Sequence, residues 1–497
     1  MLMSGTDHHQ VGLGTMSEYV NRMVTGNVAP WGPSNQYGFD NIPAGYEGFL
    51  NDRALSMPEL LRGAGYHTYM AGKWHLATIP GATAAYRAQS YPNAKGFEKS
   101  FALLQGAAPH FAPVPGAPTS GDLGVTYLED DKKVGLPSDF FSSTGFTDKL
   151  MGYIEANRAD GKPFFAYAAY TAPHWPLQAP DADIAKYAGK YDVGYEVIRE
   201  RRIAKQKALG LIPSDFVPYP GLDSNVQQRP RWNDLSPAQK ASEARKMEIY
   251  AAMVDNLDQN IGRLIKYLKD TGQYERTLIV FASDNGPSGE GSAFANDANT
   301  DNSFANLGRK RSNIAYGERW AEVSAAPFRG RKTFTTEGGI TVPVIMKLPH
   351  QSGREEPARD SMHVADLLPT FLEAAGVPNP GATYKNRSVF PITGMSLMGR
   401  LQNQASAVRS SDDVVAGELF GGRYVVRDHW KLVSVPHAPF GNGDWMLFDL
   451  TKDQGERTDL SASRPDVAAR LANDYEAYAK RVGVVFTVIS PNRGPAP

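Results

Sequence analysis

The chain has 497 residues with 52 basic and 53 acidic side chains, a balance that gives no electrostatic reason to expect a nucleic-acid partner. Its length exceeds one ordinary hydrophobic core, so we expect a large domain over residues 1–395 and a smaller C-terminal domain over residues 396–497. The sequence contains no cysteine, which excludes disulfides, thiolate metal sites and thiol nucleophiles among these residues.

Membrane and export signals are also missing from the printed sequence. No apolar run approaches the length that spans a bilayer, and the first residues lack a basic region followed by an apolar stretch. We therefore expect a soluble protein with no transmembrane segment, in the cytoplasm or periplasm of a bacterium. Its oligomeric state and exact compartment stay open.

The first part of the chain predicts few regular elements. The first sixty residues are polar, and a short helix is predicted from Met57 to Gly63 or Gly65. A strand over Tyr66–Ala71 follows and leads directly into Lys73 and His75. The region Ile79–Leu136 is rich in proline and glycine and predicts loops that wall a pocket.

The middle of the chain alternates helices and buried strands. A helix is predicted over Phe146–Asn157, and the strand Phe164–Tyr170 ends shortly before His174. Ser236 opens a long amphipathic helix with a capping-box pattern. The apolar run Leu278–Phe281 predicts a strand buried on both faces of a parallel sheet.

The last part predicts one more core strand and a separate small sheet. Val342–Met346 is a buried-strand pattern, and a helix follows over Ala365–Ala375. Beyond the predicted boundary, short antiparallel strands precede a final helix over Asp466–Arg481. The fold class is therefore α/β: a large domain with a mostly parallel mixed sheet flanked by helices, plus a smaller C-terminal α+β domain with an antiparallel sheet.

Chemically useful side chains follow three of the predicted strands. These residues are Lys73 and His75, then His174, then Asp284 and Asn285. Each has an ordinary explanation by itself, such as a surface cation, a turn histidine or an Asx turn. Because parallel strands present their carboxyl ends at one rim of the sheet, we expect the groups to meet there. Lysine, imidazole and a hard cation on oxygen ligands suit an oxyanion of sulfur or phosphorus.

Several segments resemble the sulfatase family, within the alkaline phosphatase superfamily. Gly65–His75 looks like the second signature of that family at every constrained position. Further segments are similar to bacterial arylsulfatases: Ala172–Gln178, Ser283–Gly286, Lys332 with Thr335–Gly339, and Trp430–Leu432 with Phe448–Leu450. The resemblance covers essentially the whole chain.

The resemblance implies a role for each matching residue. Asp284 and Asn285 would ligate a calcium ion. Lys73, His174 and Lys332 would grip the sulfate group of a small-molecule sulfate ester, and His174 and Lys332 would assist the leaving oxygen. His75 would serve the step that eliminates the covalent sulfate.

The sequence departs from the family at its first signature, Cys-x-Pro-x-Arg. Met1–Gly5 resembles only the tail of that signature. The cysteine that matures to formylglycine, the arginine and a first strand with acidic metal ligands have no counterpart. We therefore expect an N-terminally truncated member that lacks activity and is poorly stable, because a missing central strand leaves unpaired backbone groups and an open apolar slot.

Two alternatives remain beside a sulfate ester hydrolase. The first is a phosphomonoester or phosphonate ester hydrolase of the same superfamily, which shares the metal and oxyanion chemistry. The second is a noncatalytic anion-binding protein that kept the pocket without its nucleophile.

Overall fold

The computed structural model describes residues 1–18, 20, 42–77, 89–112, 125–221, 230–290, 300–351 and 357–485. The helices are α1 (Met57–Gly63), α2 (Ser142–Asn157), α3 (Asp181–Ala185), α4 (Tyr195–Ala208), α5 (Pro237–Asp270), α6 (Gly317–Ala325), α7 (Glu337–Ile340), α8 (Leu367–Ala374), α9 (Met398–Leu401) and α10 (Pro465–Val482). The strands are β1 (His67–Lys73), β2 (Lys99–Leu103), β3 (Tyr127–Glu129), β4 (Lys132–Val134), β5 (Phe164–Ala169), β6 (Ile279–Ala282), β7 (Val344–Lys347), β8 (Thr383–Tyr384), β9 (Arg387–Ser388), β10 (Val414–Leu419), β11 (Gly422–Arg427), β12 (Trp430–Ser434) and β13 (Trp445–Asp449).

The main sheet is mixed and has the strand order β4-β3-β2-β1-β5. Strand β1 lies inside it and pairs in parallel with β2 and β5, while β3 and β4 continue the sheet as antiparallel strands. Successive side chains of β1 point to opposite faces, so Tyr69 and Ala71 join one core cluster and Met70 joins another. Thr68 to Gly72 of β1 are therefore buried, with side chains on both faces of the sheet covered.

Helices cover both faces of this sheet. Helix α2 places Phe146, Leu150 and Ile154 against Tyr69 and Ala71, at the spacing expected for one helix face. Helices α1 and α8 share a second cluster, formed by Leu55, Met57, Leu60, Leu61, Leu368, Leu372 and Val389. The predicted order of elements, a helix followed by a strand and later by a second helix, is therefore observed as α1, β1 and α2.

The long helix α5 begins as predicted. The Ser236 side chain accepts a hydrogen bond from the Gln239 amide at 3.3 Å, and the Gln239 side chain accepts one from the Ser236 amide at 2.9 Å. These reciprocal bonds satisfy backbone donors that the first turn leaves unpaired. The helix ends at Asp270 and delivers the chain to β6.

The prediction of a deeply buried parallel strand at Leu278–Phe281 is wrong. Strand β6 pairs antiparallel with β7 in a separate two-stranded sheet, and Phe281 and Ile345 are 45% and 65% exposed. Within the described ranges, β7 is the only strand paired with β6 and β1 the only strand paired with β5. A two-stranded ribbon covers little apolar area, which explains the exposure.

The prediction of loops over Ile79–Leu136 is wrong in part. Strands β2, β3 and β4 lie inside this region, with β2 buried beside β1. Residues 78–88 and 113–124 of the same region lie outside the described residues. Proline and glycine residues indicate the turns that connect strands, but they do not show whether short strands lie between those turns.

The C-terminal part forms an antiparallel sheet with the order β10-β11-β12-β13. Helix α10 packs on it through Val467, Leu471 and Tyr475, which meet Val425, Leu432 and Leu447 of the strands. The predicted fold class, a mixed α/β sheet followed by a C-terminal antiparallel sheet, is confirmed. The division at residues 395 and 396 stays a prediction.

Across the described residues, no helix is both long and apolar enough to cross a bilayer.

Candidate active site

Lys73 is the last residue of β1 and lies at the carboxyl end of the main sheet. The preceding Gly72 has φ 126°, and a Cβ there would approach the Ala169 carbonyl oxygen of β5 to 2.0 Å, so only glycine fits. Burial lowers the pKa of the Lys73 ammonium; nearby Asp284 opposes this effect and Lys332 adds to it. Lys73 therefore lies within electrostatic reach of two other predicted site residues.

His174 and Lys332 are in direct contact. Lys332 Nζ lies 3.1 Å from His174 Nε2, and His174 Nδ1 lies 2.7 Å from the Trp175 carbonyl oxygen. A carbonyl only accepts, so Nδ1 carries a proton and Nε2 accepts from the Lys332 ammonium. Burial, followed by the charges of Lys332 and Lys73, lowers the pKa of His174 well below its usual value.

A buried histidine that sequence reasoning missed supports the position of His174. His110 Nε2 donates to the His174 carbonyl oxygen at 2.9 Å, and His110 Nδ1 accepts from the Ser142 hydroxyl at 2.7 Å. Burial lowers the pKa of His110 to about 4, which keeps its ring neutral. The backbone of the His174 segment is therefore anchored to the start of α2.

His75 bonds to a carboxylate rather than to the lysines. His75 Nε2 lies 2.7 Å from Glu18 Oε1, and a Cβ at Gly106 would come within 2.6 Å of the ring. Burial alone would raise the pKa of Glu18, but the hydrogen bond and charge of His75 lower it to about 2. Glu18 also interacts with Lys73, so it joins the site from a part of the chain where no strand was predicted.

Asp284 and Asn285 lie in a turn directly after β6. The Asp284 side chain is exposed, and Asn285 Nδ2 donates to the Gly286 carbonyl oxygen at 2.8 Å. Gly286 packs so closely on α7 that a Cβ would lie 2.0 Å from the Gly338 carbonyl oxygen. The Lys332 amide donates to the Pro287 carbonyl at 3.0 Å, which ties this turn to the lysine.

These two residues fit only part of a calcium site. Asp284 and Asn285 offer hard oxygen ligands, whereas calcium takes six to eight oxygens. Within the part of the chain that the structure describes, the one convergent group of three histidine or acidic ligands is at Asp7, His8 and His9. The donor types at Asp284 and Asn285 therefore suit a hard cation, and further ligands would have to complete the shell.

A third acidic residue, Glu290, borders the site together with Glu18 and Asp284. The Trp175 indole nitrogen donates to the Glu290 carboxylate, and Glu290 interacts electrostatically with Lys73 and Arg331. Sequence reasoning missed Glu290 because no strand ends beside it. The one sequence feature that could have pointed to Glu290 is its position four residues after Gly286, in the loop that follows the Asp284 turn.

An α/β fold with lysines, histidines and oxygen ligands after its strands is typical of enzymes that bind anionic substrates at the carboxyl end of a sheet. The sequence model of the sulfatase family matches residues 1–377, and the chain belongs to that family. An uncharacterized sulfatase of Schizosaccharomyces pombe is 39% identical over 98% of this chain and 85% of its own length. An arylsulfatase of Klebsiella aerogenes is 36% identical over 80% of each chain. The crystal structure of Ps i-CgsB has a TM-score of 0.60 with 20% identity, over 99% of this chain and 82% of that one.

Proposed function

We propose that Lys73, His174 and Lys332 bind the sulfate group of a sulfate ester of the arylsulfatase type. The observation that supports this most directly is the 3.1 Å contact between Lys332 Nζ and His174 Nε2, close to the Lys73 ammonium. Ammonium groups donate charge-assisted hydrogen bonds to nonbridging oxygens. The similarity to the Klebsiella aerogenes arylsulfatase agrees with this assignment.

The leaving oxygen needs a proton when the sulfur–oxygen bond breaks. In our proposal that proton comes from the pair formed by Lys332 Nζ and His174 Nε2, which share one hydrogen bond. Lys73 stays charged and holds a nonbridging oxygen. In a chain that carries the nucleophile, His75, which contacts Glu18, would move a proton when the covalent sulfate is eliminated. A divalent cation, when held by Asp284 and Asn285 with further ligands, supplies positive charge for the sulfate oxygens.

The relatives of the chain favour a sulfate ester over a phosphate ester. The sequence model of the sulfatase family matches residues 1–377, and the relatives of Schizosaccharomyces pombe and Klebsiella aerogenes are both sulfatases by name. The phosphate alternative therefore ranks second.

The formylglycine nucleophile of the family has no cysteine counterpart among the printed residues. The sequence contains no cysteine that could mature to formylglycine. We therefore propose that the printed chain binds sulfate esters without turning them over. A chimaera that carries a Cys-x-Pro-x-Arg segment ahead of Met1, matured to formylglycine, should hydrolyse them.

The test measures equilibrium binding of 4-nitrophenyl sulfate by calorimetry. Lys332→Ala and Lys73→Ala should each weaken binding about 10- to 100-fold, the usual loss for a hydrogen bond to a charged group. Lys162→Ala is the matched control, because Lys162 is exposed just before β5, at the opposite end of the strands.

Three outcomes would contradict the proposal. Unchanged binding in Lys332→Ala and Lys73→Ala would show that the ester binds elsewhere. Tighter binding of 4-nitrophenyl phosphate than of the sulfate would favour the phosphate ester alternative. A matured chimaera that binds the ester without turnover would favour the noncatalytic alternative.

A further inference from the structure

Three consecutive residues, Asp7, His8 and His9, form a compact cluster that includes none of the residues proposed to bind sulfate. One ligand atom from each lies within 4.8 Å of the other two. His9 Nδ1 is 3.0 Å from Asp7 Oδ1, and His8 Nδ1 is 3.7 Å from the same oxygen. The two imidazole rings lie beside each other with centroids 4.0 Å apart.

The outer nitrogens of both imidazoles bond to one residue of β10. His9 Nε2 donates to Glu418 Oε2 at 3.0 Å, and His8 Nε2 donates to the Glu418 backbone oxygen at 2.8 Å. This leaves both Nδ1 atoms directed at Asp7. Histidines that bind metal usually donate the other ring nitrogen to a carboxylate or a backbone carbonyl, and both histidines do so here.

The carboxylate of Asp7 is fixed in the same manner. Asp7 Oδ2 accepts a hydrogen bond from the Tyr478 hydroxyl of α10 at 2.8 Å, while Oδ1 faces the two imidazoles. Ligand atoms of a tetrahedral zinc ion lie about 3.3 Å apart, given bond lengths of about 2.0–2.1 Å. The observed separations of 3.0 and 3.7 Å bracket that value.

We propose that His8 Nδ1, His9 Nδ1 and Asp7 Oδ1 form a binding site for a zinc-type transition metal ion. Two imidazoles and one carboxylate favour zinc, cobalt, nickel or copper over calcium. The three side chains supply three ligands, and a water molecule would complete a four-coordinate shell. Binding displaces the proton that otherwise bridges His9 Nδ1 and Asp7, and that proton leaves to solvent.

The site would join distant parts of the chain. Its ligands lie in residues 7–9, whereas the groups that orient them, Glu418 and Tyr478, belong to β10 and α10. A bound metal therefore stabilises the contact between the N-terminal segment and the C-terminal sheet. This inference does not depend on the proposed sulfate site.

The experiment titrates the chelator-treated protein with Zn²⁺ against a chromophoric chelator, and with Co²⁺ while visible absorption is recorded. We expect one Zn²⁺ per chain, release of about one proton, and X-ray absorption that shows about two imidazole nitrogens. His8→Ala should weaken binding about 100-fold or more, and Glu418→Gln about 10- to 100-fold. Zn²⁺ should raise the Tm of the unsubstituted chain and leave that of His8→Ala unchanged.

Two matched variants separate this site from others. His67→Ala should bind normally, because His67 lies between two carboxylates, Glu98 and Asp160, but belongs to no three-ligand group among the described residues. Asp284→Asn should also keep the zinc affinity. His8→Ala is preferred to a His9 variant because His8 is partly exposed, and an unchanged circular dichroism spectrum without metal shows that it folds.

The absence of stoichiometric binding would overturn the proposal. So would equal affinity in His8→Ala, loss of binding in Asp284→Asn, or an absorption spectrum with oxygen ligands alone.

Discussion

His174 lies between the ammonium groups of Lys332 and Lys73, and this makes anion binding depend on pH. Burial and those two charges hold the pKa of His174 well below its usual value, so the ring is neutral in the free protein near pH 7. A bound sulfate ester brings negative charge to the same place and favours the imidazolium. Binding should therefore be accompanied by the uptake of a proton.

The expected result is an affinity that weakens as pH rises. The complex holds one more proton than the free protein, so the Kd of 4-nitrophenyl sulfate should increase with pH. The increase should be up to about tenfold per pH unit. It applies at pH values between the pKa of His174 in the free protein and its pKa in the complex. Calorimetry at pH 5 to 8 in buffers of different ionisation enthalpy measures both the affinity and the proton uptake. His174→Asn should remove this slope, and Lys162→Ala should keep it. A slope retained in His174→Asn would assign the proton to a group other than His174.

The sequence predicted some site residues better than others. Lys73 and His174 follow strands whose parallel pairing sets the rim of the sheet, so their proximity could be expected. Lys332 follows no strand and was found only through the family resemblance. Glu18 and His110 were missed because each joins the site through contacts with residues far away in the chain, and pattern analysis cannot detect such contacts.

At the scale of elements, strand burial depends on neighbours that a local pattern does not show. The sequence pattern predicts both β1 and β6 as buried strands, yet β1 is buried on both faces and β6 is half exposed. Strand β1 has parallel partners on both sides and helices on both faces. Strand β6 pairs only with β7 within the described residues. The prediction for β1 was therefore right and that for β6 was wrong in burial.

This difference predicts unequal costs of substitution. Phe281→Ser and Ile345→Ser should each change the free energy of unfolding by less than about 1 kcal/mol, because both side chains are largely exposed. Met70→Ala in β1 should cost about 2–5 kcal/mol, because that side chain is 0% exposed. Urea unfolding followed by tryptophan fluorescence measures the three variants against the unsubstituted chain. A cost for Phe281→Ser as large as that for Met70→Ala would show that β6 is covered in solution.

At the scale of the whole molecule, a buried ion cluster connects the C-terminal sheet to the candidate active site. Lys431 of β12 is 0% exposed. Its Nζ atom lies 2.6 Å from Glu337 Oε1 and 2.7 Å from Glu456 Oε1. Glu337 begins α7, which packs on the Asp284 turn. The antiparallel strands could be predicted from their sequence pattern. The contact between Lys431 and Glu337 could not, because it joins residues 94 positions apart and no sequence pattern indicates it.

The cluster predicts that a change in the C-terminal sheet weakens anion binding. Lys431→Met leaves two carboxylates buried without their cation, and breaking such a pair costs about 3–5 kcal/mol. The repulsion between Glu337 and Glu456 should also displace α7 and with it the Asp284 turn, so we expect lower affinity for 4-nitrophenyl sulfate at temperatures where the chain is still folded. Thermal unfolding and calorimetry of the same samples measure the two effects.

Two further variants separate loss of the cluster from loss of a lysine. Lys452→Met removes an exposed lysine that pairs with Asp449, so it should change neither stability nor affinity measurably. Adding Glu337→Gln and Glu456→Gln to Lys431→Met removes the uncompensated charges and should recover part of the lost stability. If Lys431→Met unfolds at the same temperature as the unsubstituted chain, the three groups do not form a buried cluster in solution. If it is destabilised but binds the ester with unchanged affinity, the C-terminal sheet supports the fold without positioning the site.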